Sequence, residues 1–293
     1  MLHTQRFIII FSLISALFFL TGFSSVPKEP KATWLWQSQL ISSEPEQIIA
    51  FAKEHGVTLL YVNFSPTRKA VEYQAFIKKA TASGIAVHAL GGERSWGLEQ
   101  NRPQLLAWVD LVLAYNAGVS KEERFTGIHL DIEPYLLPEW KTKQSAVIGQ
   151  WMGNIKAYTA KVRKTPALEI GCDIPFWLDS IALPNDAAAS LGKWLIAQHD
   201  HTAVMAYRDR AVGSNSISAL SVQELAFADE LGKRIFVAVE AKKSGEGNFV
   251  SFAEEGKTYM NAQLAKLSLL LSEHPSFAGN AVHSYEYWKT MKE

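Results

Sequence analysis

After residue 30 the chain alternates eight short β-rich runs with longer segments of helical spacing, and that alternation leaves few folds open. The β-rich runs cover residues 33–37, 58–64, 85–90, 127–132, 168–173, 202–207, 234–239 and 280–285. Helical spacing covers 45–55, 69–83, 103–117, 138–164, 186–199, 221–232 and 252–273. Pro45, Pro103 and Pro138 suit the first turn of a helix, where a missing N–H loses no bond. Gly56, Gly84, Gly118 and Gly232 suit helix ends. Residues 58–62 are largely apolar on both faces, as in parallel strands held between two packed layers. These features predict an α/β fold, a single closed (β/α)8 barrel over residues 33–293. An open doubly wound sheet would normally carry a glycine-rich phosphate loop after its first strand, and Trp34-Leu35-Trp36-Gln37-Ser38 is not one.

The N-terminus differs in kind. Arg6 precedes an apolar run over 7–20, interrupted only by Ser12 and Ser15, and small residues follow, with Gly22 and Ser24 placed to flank a cleavage point. Residues 1–25 therefore read as a secretory signal, or an uncleaved anchor, with a Pro/Lys-rich linker over 26–32. The expected location is secreted or cell-envelope, with no stable membrane insertion after cleavage. Lys+Arg and Asp+Glu both number 29, and no basic stripe breaks that balance, so nucleic acid is not an expected partner. Cys172 is the only cysteine and lies in an apolar run, so it is expected to be a small buried side chain.

A barrel places its chemistry at the C-terminal ends of its strands. At those ends stand Trp36, Asn63, Glu93, Trp96, Asp131, Glu133, Asp173, Trp177, Tyr207, Arg208, Glu240, Tyr285 and Trp288. Acids bind hydroxyls and move protons, while flat rings pack on apolar sugar faces, so the expected partner is a carbohydrate. Trp36, Asn63, Glu93, Trp96, Asp173, Tyr207, Arg208, Tyr285 and Trp288 are the candidate substrate-binding residues, with Trp177 as a further ring platform. Trp108, Trp151 and Trp194 fall on helices and are assigned to packing, and His88 and His283 to the strand core.

The sharpest local pattern is Thr126-Gly127-Ile128-His129-Leu130-Asp131-Ile132-Glu133. Alternate strand residues share a face, so His129, Asp131 and Glu133 point into the barrel together. This run resembles the strand-four motif D-G-x-D-x-D-x-E of the family 18 glycoside hydrolases, the chitinases and their relatives. Gly127, Asp131 and Glu133 match it, while Thr126 and His129 replace two aspartates. Met205-Ala206-Tyr207 is similar to that family's strand-six M-x-Y-D, with Arg208 in place of its aspartate. The resemblance implies Glu133 as proton donor to the glycosidic oxygen, with Asp131 holding the substrate's acetamido group and tuning Glu133.

A second resemblance, to retaining glycosidases with acids after strands four and seven, implies Glu240 as nucleophile. That pattern usually has asparagine before the strand-four glutamate, and here the residue is Ile132. Glu133, Asp131 and Glu240 are thus the candidate catalytic residues, with Glu240 either nucleophile or substrate ligand. His129 is expected to pair with Asp131 from below. A binding barrel without chemistry is the alternative, favoured by Arg208. A metal held by His129, Asp131 and Glu133 is a third reading, and no cofactor or metal is assigned.

Overall fold

The computed structural model describes residues 31–293 except Pro166. The signal segment, its Gly22 and Ser24, and most of the linker lie outside these residues. Strand β1 (Lys31–Leu35) begins two residues earlier than the β-rich run suggested. Helices α1 (Leu40–Ser43) and α2 (Pro45–His55) lead to β2 (Val57–Asn63), then α3 (Ala70–Ala82), β3 (Ala86–Gly91) and α4 (Arg102–Ala117). Next come β4 (Gly127–Leu130), α5 (Pro138–Val162) and β5 (Glu169–Pro175). A hairpin follows, β6 (Ala182–Leu183) and β7 (Asp186–Ser190), then α6 (Leu191–Gln198), β8 (His201–Met205), α7 (Ile217–Leu231), β9 (Arg234–Glu240), α8 (Lys257–Leu271), β10 (Phe277–His283) and α9 (Tyr285–Trp288).

The parallel strands close in the order β1, β2, β3, β4, β5, β8, β9, β10, with β10 pairing back to β1. Closure excludes the open sheet. Leucines, isoleucines, valines and aromatics between sheet and helices form the larger apolar core, which buries Leu60, Val62, Ile128, Leu130 and Val237. Inward-facing residues form a second, smaller cluster around Trp34, Tyr61 and Phe236. Cys172 is buried as expected, and burial pushes its thiol up.

Two boundaries depart from the helical and strand periodicity. The run 186–199 is helical only from Leu191, because Ser190 caps that helix by accepting from Lys193 N at 3.1 Å. Asp186–Ser190 instead returns along Ala182–Leu183 as an antiparallel strand. An Ala-rich stretch has high helix propensity, and tertiary pairing overrides it here. Strand β10 ends at His283, so Tyr285 enters a helical turn and leaves the strand register. Among the described residues no helix is long and apolar enough to cross a membrane.

Candidate functional site

Strand β4 delivers the acids. The Asp131 N–H donates to Gly91 O at 2.9 Å, extending the extended backbone past the strand's last paired residue. His129, Asp131 and Glu133 therefore project inward on alternate positions, as the period-2 pattern requires. Asp131 has one carboxylate oxygen, Oδ1, buried without a hydrogen-bond partner. Burial, then repulsion from Asp173 and Glu133, pushes its proton affinity well above the usual carboxylate range. Glu133 is raised as well: burial outweighs the opposing hydrogen bond from the Tyr135 hydroxyl, and Asp173 adds repulsion.

Asp173, on β5, is the pivot of the floor. It accepts from Trp34 Nε1 at 3.0 Å and sits 2.9 Å from His129 Nε2. Burial raises it to about 7. His129 is thus paired with Asp173 and not with Asp131 as the linear motif suggested. The reason is geometric: His129 and Asp131 are successive inward residues of one strand, stacked along it, whereas Asp173 lies across the neighbouring strand. The same turn takes His129 away from Asp131 and Glu133 as a metal-ligand set.

Glu240 closes the opposite side. Its Oε1 accepts from Lys242 N at 2.8 Å, and its Oε2 lies 3.1 Å from His283 Nδ1. His283 Nε2 in turn accepts from Trp36 Nε1 at 3.0 Å. Because Nε2 accepts, Nδ1 carries the proton and donates to Glu240. Burial lowers the His283 imidazole, but the Glu240 contact and the charges of Asp131 and Asp173 outweigh it and leave it raised. His283 was assigned to the core from its place within a strand. The structure puts it in the floor, linking Trp36 to Glu240, and its alternation with inward-facing Ala281 was the available signal.

Above this floor opens a cleft of about 440 Å³, walled by Glu133, Tyr135, Trp177, Tyr207, Arg208 and Glu240 among others. Trp177 meets Tyr135 edge-on at 5.0 Å, and Trp140 packs against both rings. Burial and the Glu240 charge push the Tyr207 hydroxyl well up. Arg208 lies over the rings of Phe176 and Phe249 at 5.4 and 5.3 Å and donates to Asn215 Oδ1 at 2.8 Å. It therefore stands at the rim with its guanidinium already oriented. Asn63 ends β2 in register with inward-facing Tyr61, and Glu93 is exposed in the loop after β3.

Three of the expected substrate-binding aromatics lie elsewhere. Trp288 is fully buried against Phe51 and His55 in the helical layer. Tyr285 packs on Phe51 and donates to Glu44, both consequences of the chain coiling after His283. Trp96 sits on a tight turn, 9% exposed and packed against Trp108. Trp108 and Trp151 are packing residues, as their helical positions implied. Tyr135 is a cleft aromatic that the candidate site left out, and Trp140, on α5, packs behind it and Trp177.

The chain is a closed (β/α)8 barrel with an acid-floored, aromatic-walled mouth, and its fold is similar to that of solved chitinases. A family 18 chitinase from Cycas revoluta superposes with a TM-score of 0.58 at 14% identity, covering 88% of this chain and 95% of that one. A chitinase from Chromobacterium violaceum gives 0.56 at 11% identity, covering 90% and 95%. A xylanase-A-amylase inhibitor protein gives 0.51 at 13% identity, covering 89% and 94%. At these identities the likeness is one of fold. No protein-family model matches the sequence. No curated protein matches it either.

Proposed function

We propose that the protein is an exported glycoside hydrolase that cleaves a polysaccharide of the cell envelope or its surroundings, with Glu133 as general acid/base. The observation that carries this reading is the pair Asp131–Glu133, two part-buried acids of raised proton affinity at the base of an aromatic-walled cleft. A carboxyl held protonated near neutral pH can donate to a leaving oxygen.

Asp131 is the helper. Its unpartnered Oδ1 awaits a polar group, and the N–H of a substrate acetamido group fits that need. Glu240 has both oxygens engaged, by Lys242 N and His283, which suits a substrate ligand or positioning residue better than a free nucleophile. The reaction is then substrate-assisted: the acetamido oxygen attacks the anomeric carbon while Glu133 protonates the departing oxygen. Structural neighbours crystallised with GlcNAc oligosaccharides support an N-acetylated sugar. The apolar N-terminal segment supports export.

A second reading, a carbohydrate-binding barrel without turnover, has its own support. The Tyr135 hydroxyl occupies one oxygen of Glu133, Arg208 replaces the strand-six aspartate, and one neighbour of the same fold is an inhibitor protein. Incubation with GlcNAc oligomers and peptidoglycan fragments separates the two. The hydrolase reading expects products from the wild type and none from Glu133→Gln, with retained binding. Saturable binding with no product from the wild type would leave only the binding barrel.

A further inference from the structure

The opposite, N-terminal mouth of the barrel carries a second polar cluster that cleft chemistry leaves unused. His88 on β3, Glu169 on β5 and His201 on β8 each present one ligand atom, and these atoms lie within 4.8 Å of one another. Glu169 Oε2 is 3.7 Å from His88 Nε2 and 3.8 Å from His201 Nδ1. Barrel interiors are ordinarily filled by branched apolar side chains. Here two neighbouring inward positions are glycine. A Cβ at Gly127 would stand 2.5 Å from the His88 ring, and one at Gly171 would stand 2.2 Å from the His201 ring. The imidazoles fill space that those side chains would occupy.

Hydrogen-bond accounting then isolates two nitrogens. His129 Nε2 lies 2.9 Å from Asp173 Oδ1 and its Nδ1 lies 3.3 Å from His201 Nε2, so these three ring nitrogens are engaged. His201 Nδ1 and His88 Nδ1 are left, both buried without a hydrogen-bond partner. His201 Nδ1 is the one that faces the Glu169 carboxylate, at 3.8 Å.

We propose that His201 Nδ1, His88 Nε2 and the Glu169 carboxylate bind a transition-metal dication of the zinc class. Two neutral imidazoles and one carboxylate are the donor set that such ions prefer over Mg²⁺ or Ca²⁺. A cavity of about 620 Å³, lined by Thr58, Thr126, Phe236 and both His88 and Glu169, opens onto the site and gives an entry path. The chain from His201 through His129 to Asp173 supplies the outer hydrogen bonds that orient a metal-bound histidine. Arg234 Nη2, 2.8 Å from Glu169 Oε2, holds the place of the cation's charge. Its side chain is 47% exposed, so it can swing into water.

The test uses the full chain stripped with chelator and titrated with ZnCl₂ by calorimetry and with CoCl₂ by visible absorption. One Zn²⁺ per chain is expected, with a Co²⁺ ligand-field band and no competition from excess Mg²⁺. Glu169→Gln, at a partly exposed position that should leave the fold intact, lowers Zn²⁺ affinity by about 100-fold or more. Arg234→Ala removes the competing cation and tightens binding by about threefold or more. Absence of a 1:1 site in the wild type, equal affinity in Glu169→Gln, or weaker binding in Arg234→Ala overturns the assignment.

Discussion

At the upper mouth burial drives Asp131, Glu133 and Asp173 toward their protonated forms, whereas in the layer beneath it drives His88, His129 and His201 toward their unprotonated ones. In every case desolvation is the largest cause. The same loss of water raises acids and lowers imidazoles, because in each it removes the charged form. The two layers differ in what lies above them. Glu133 lines an open cleft, where a substrate can use a held proton, with Asp131 and Asp173 beneath it. The imidazoles face packed rings, Tyr61 stacking on His129 at 3.7 Å, and their polar partners are each other, Asp173 and Glu169.

The sharpest way to break this contrast is to remove the acid's proton without changing its shape. Glu133→Gln is expected to lower kcat on an N-acetylated oligosaccharide by about 10²–10⁴-fold, the usual contribution of general acid catalysis. Its thermal midpoint should stay near the wild-type value, since Glu133 is part-buried and its one side-chain hydrogen bond comes from Tyr135. A variant with wild-type turnover would remove Glu133 from the mechanism and leave the upper acids as structural groups.

The lower layer should respond in stability. Gly171→Ala would place a Cβ 2.2 Å from His201 and 2.5 Å from His129, and overpacking of that kind costs about 1–3 kcal/mol. Gly149, on the exposed side of α5 with nothing within 4 Å of an added Cβ, is the control. Gly149→Ala is expected to be neutral or to stabilise by up to about 1 kcal/mol. Urea unfolding of both variants checks the pair. Equal midpoints would mean that the imidazole layer has slack.

Much of this arrangement was readable in the sequence, and the part that was not has a common cause. Strand periodicity and helix-end residues give the closed barrel, and β/α order places Asp131, Glu133, Asp173, Tyr207 and Glu240 at one end. Contacts between strands were not readable. His129 pairs with Asp173 across β4 and β5, and His283 pairs with Glu240 across β9 and β10, because register and stagger decide which inward residues meet. The end of β10 was misplaced by two residues. That small error carried Tyr285 and Trp288 from the helical layer into the expected site. Arg234 and Glu169, at strand beginnings, drew no attention because barrel chemistry is expected at the other end.

A smaller effect tests the cleft wall. Trp177→Ala removes a ring that meets Tyr135 edge-on, and the loss of one sugar-facing aromatic is worth about 0.5–1.5 kcal/mol. KM should rise by about threefold to tenfold with kcat changed less. Trp288→Phe, buried in the helical layer, should leave KM unchanged while lowering stability. Steady-state kinetics on one substrate reads both. A KM effect for Trp288→Phe equal to that of Trp177→Ala would place the ring platform in the wrong layer.

The smallest effect is a slope, and it sets the two layers directly against each other. Asp173 titrates at about 7 in the fold against 3.8 for an ordinary aspartate, so its contribution to stability is complete below 3.8 and is lost as pH rises through about 7. His88 and His129 titrate at about 3 against 6.5, so theirs is complete above 6.5 and is lost as pH falls toward 3. Between pH 7 and 4 the contribution of Asp173 opposes that of His88 and His129. Asp173→Asn removes the opposing contribution. Its stability should therefore fall more steeply over that window, by at most one proton, about 1.4 kcal/mol per pH unit. Chemical unfolding at half-unit intervals measures both curves. Parallel slopes would mean that Asp173 holds no proton in the fold, and that the upper layer is charged where the lower one is neutral.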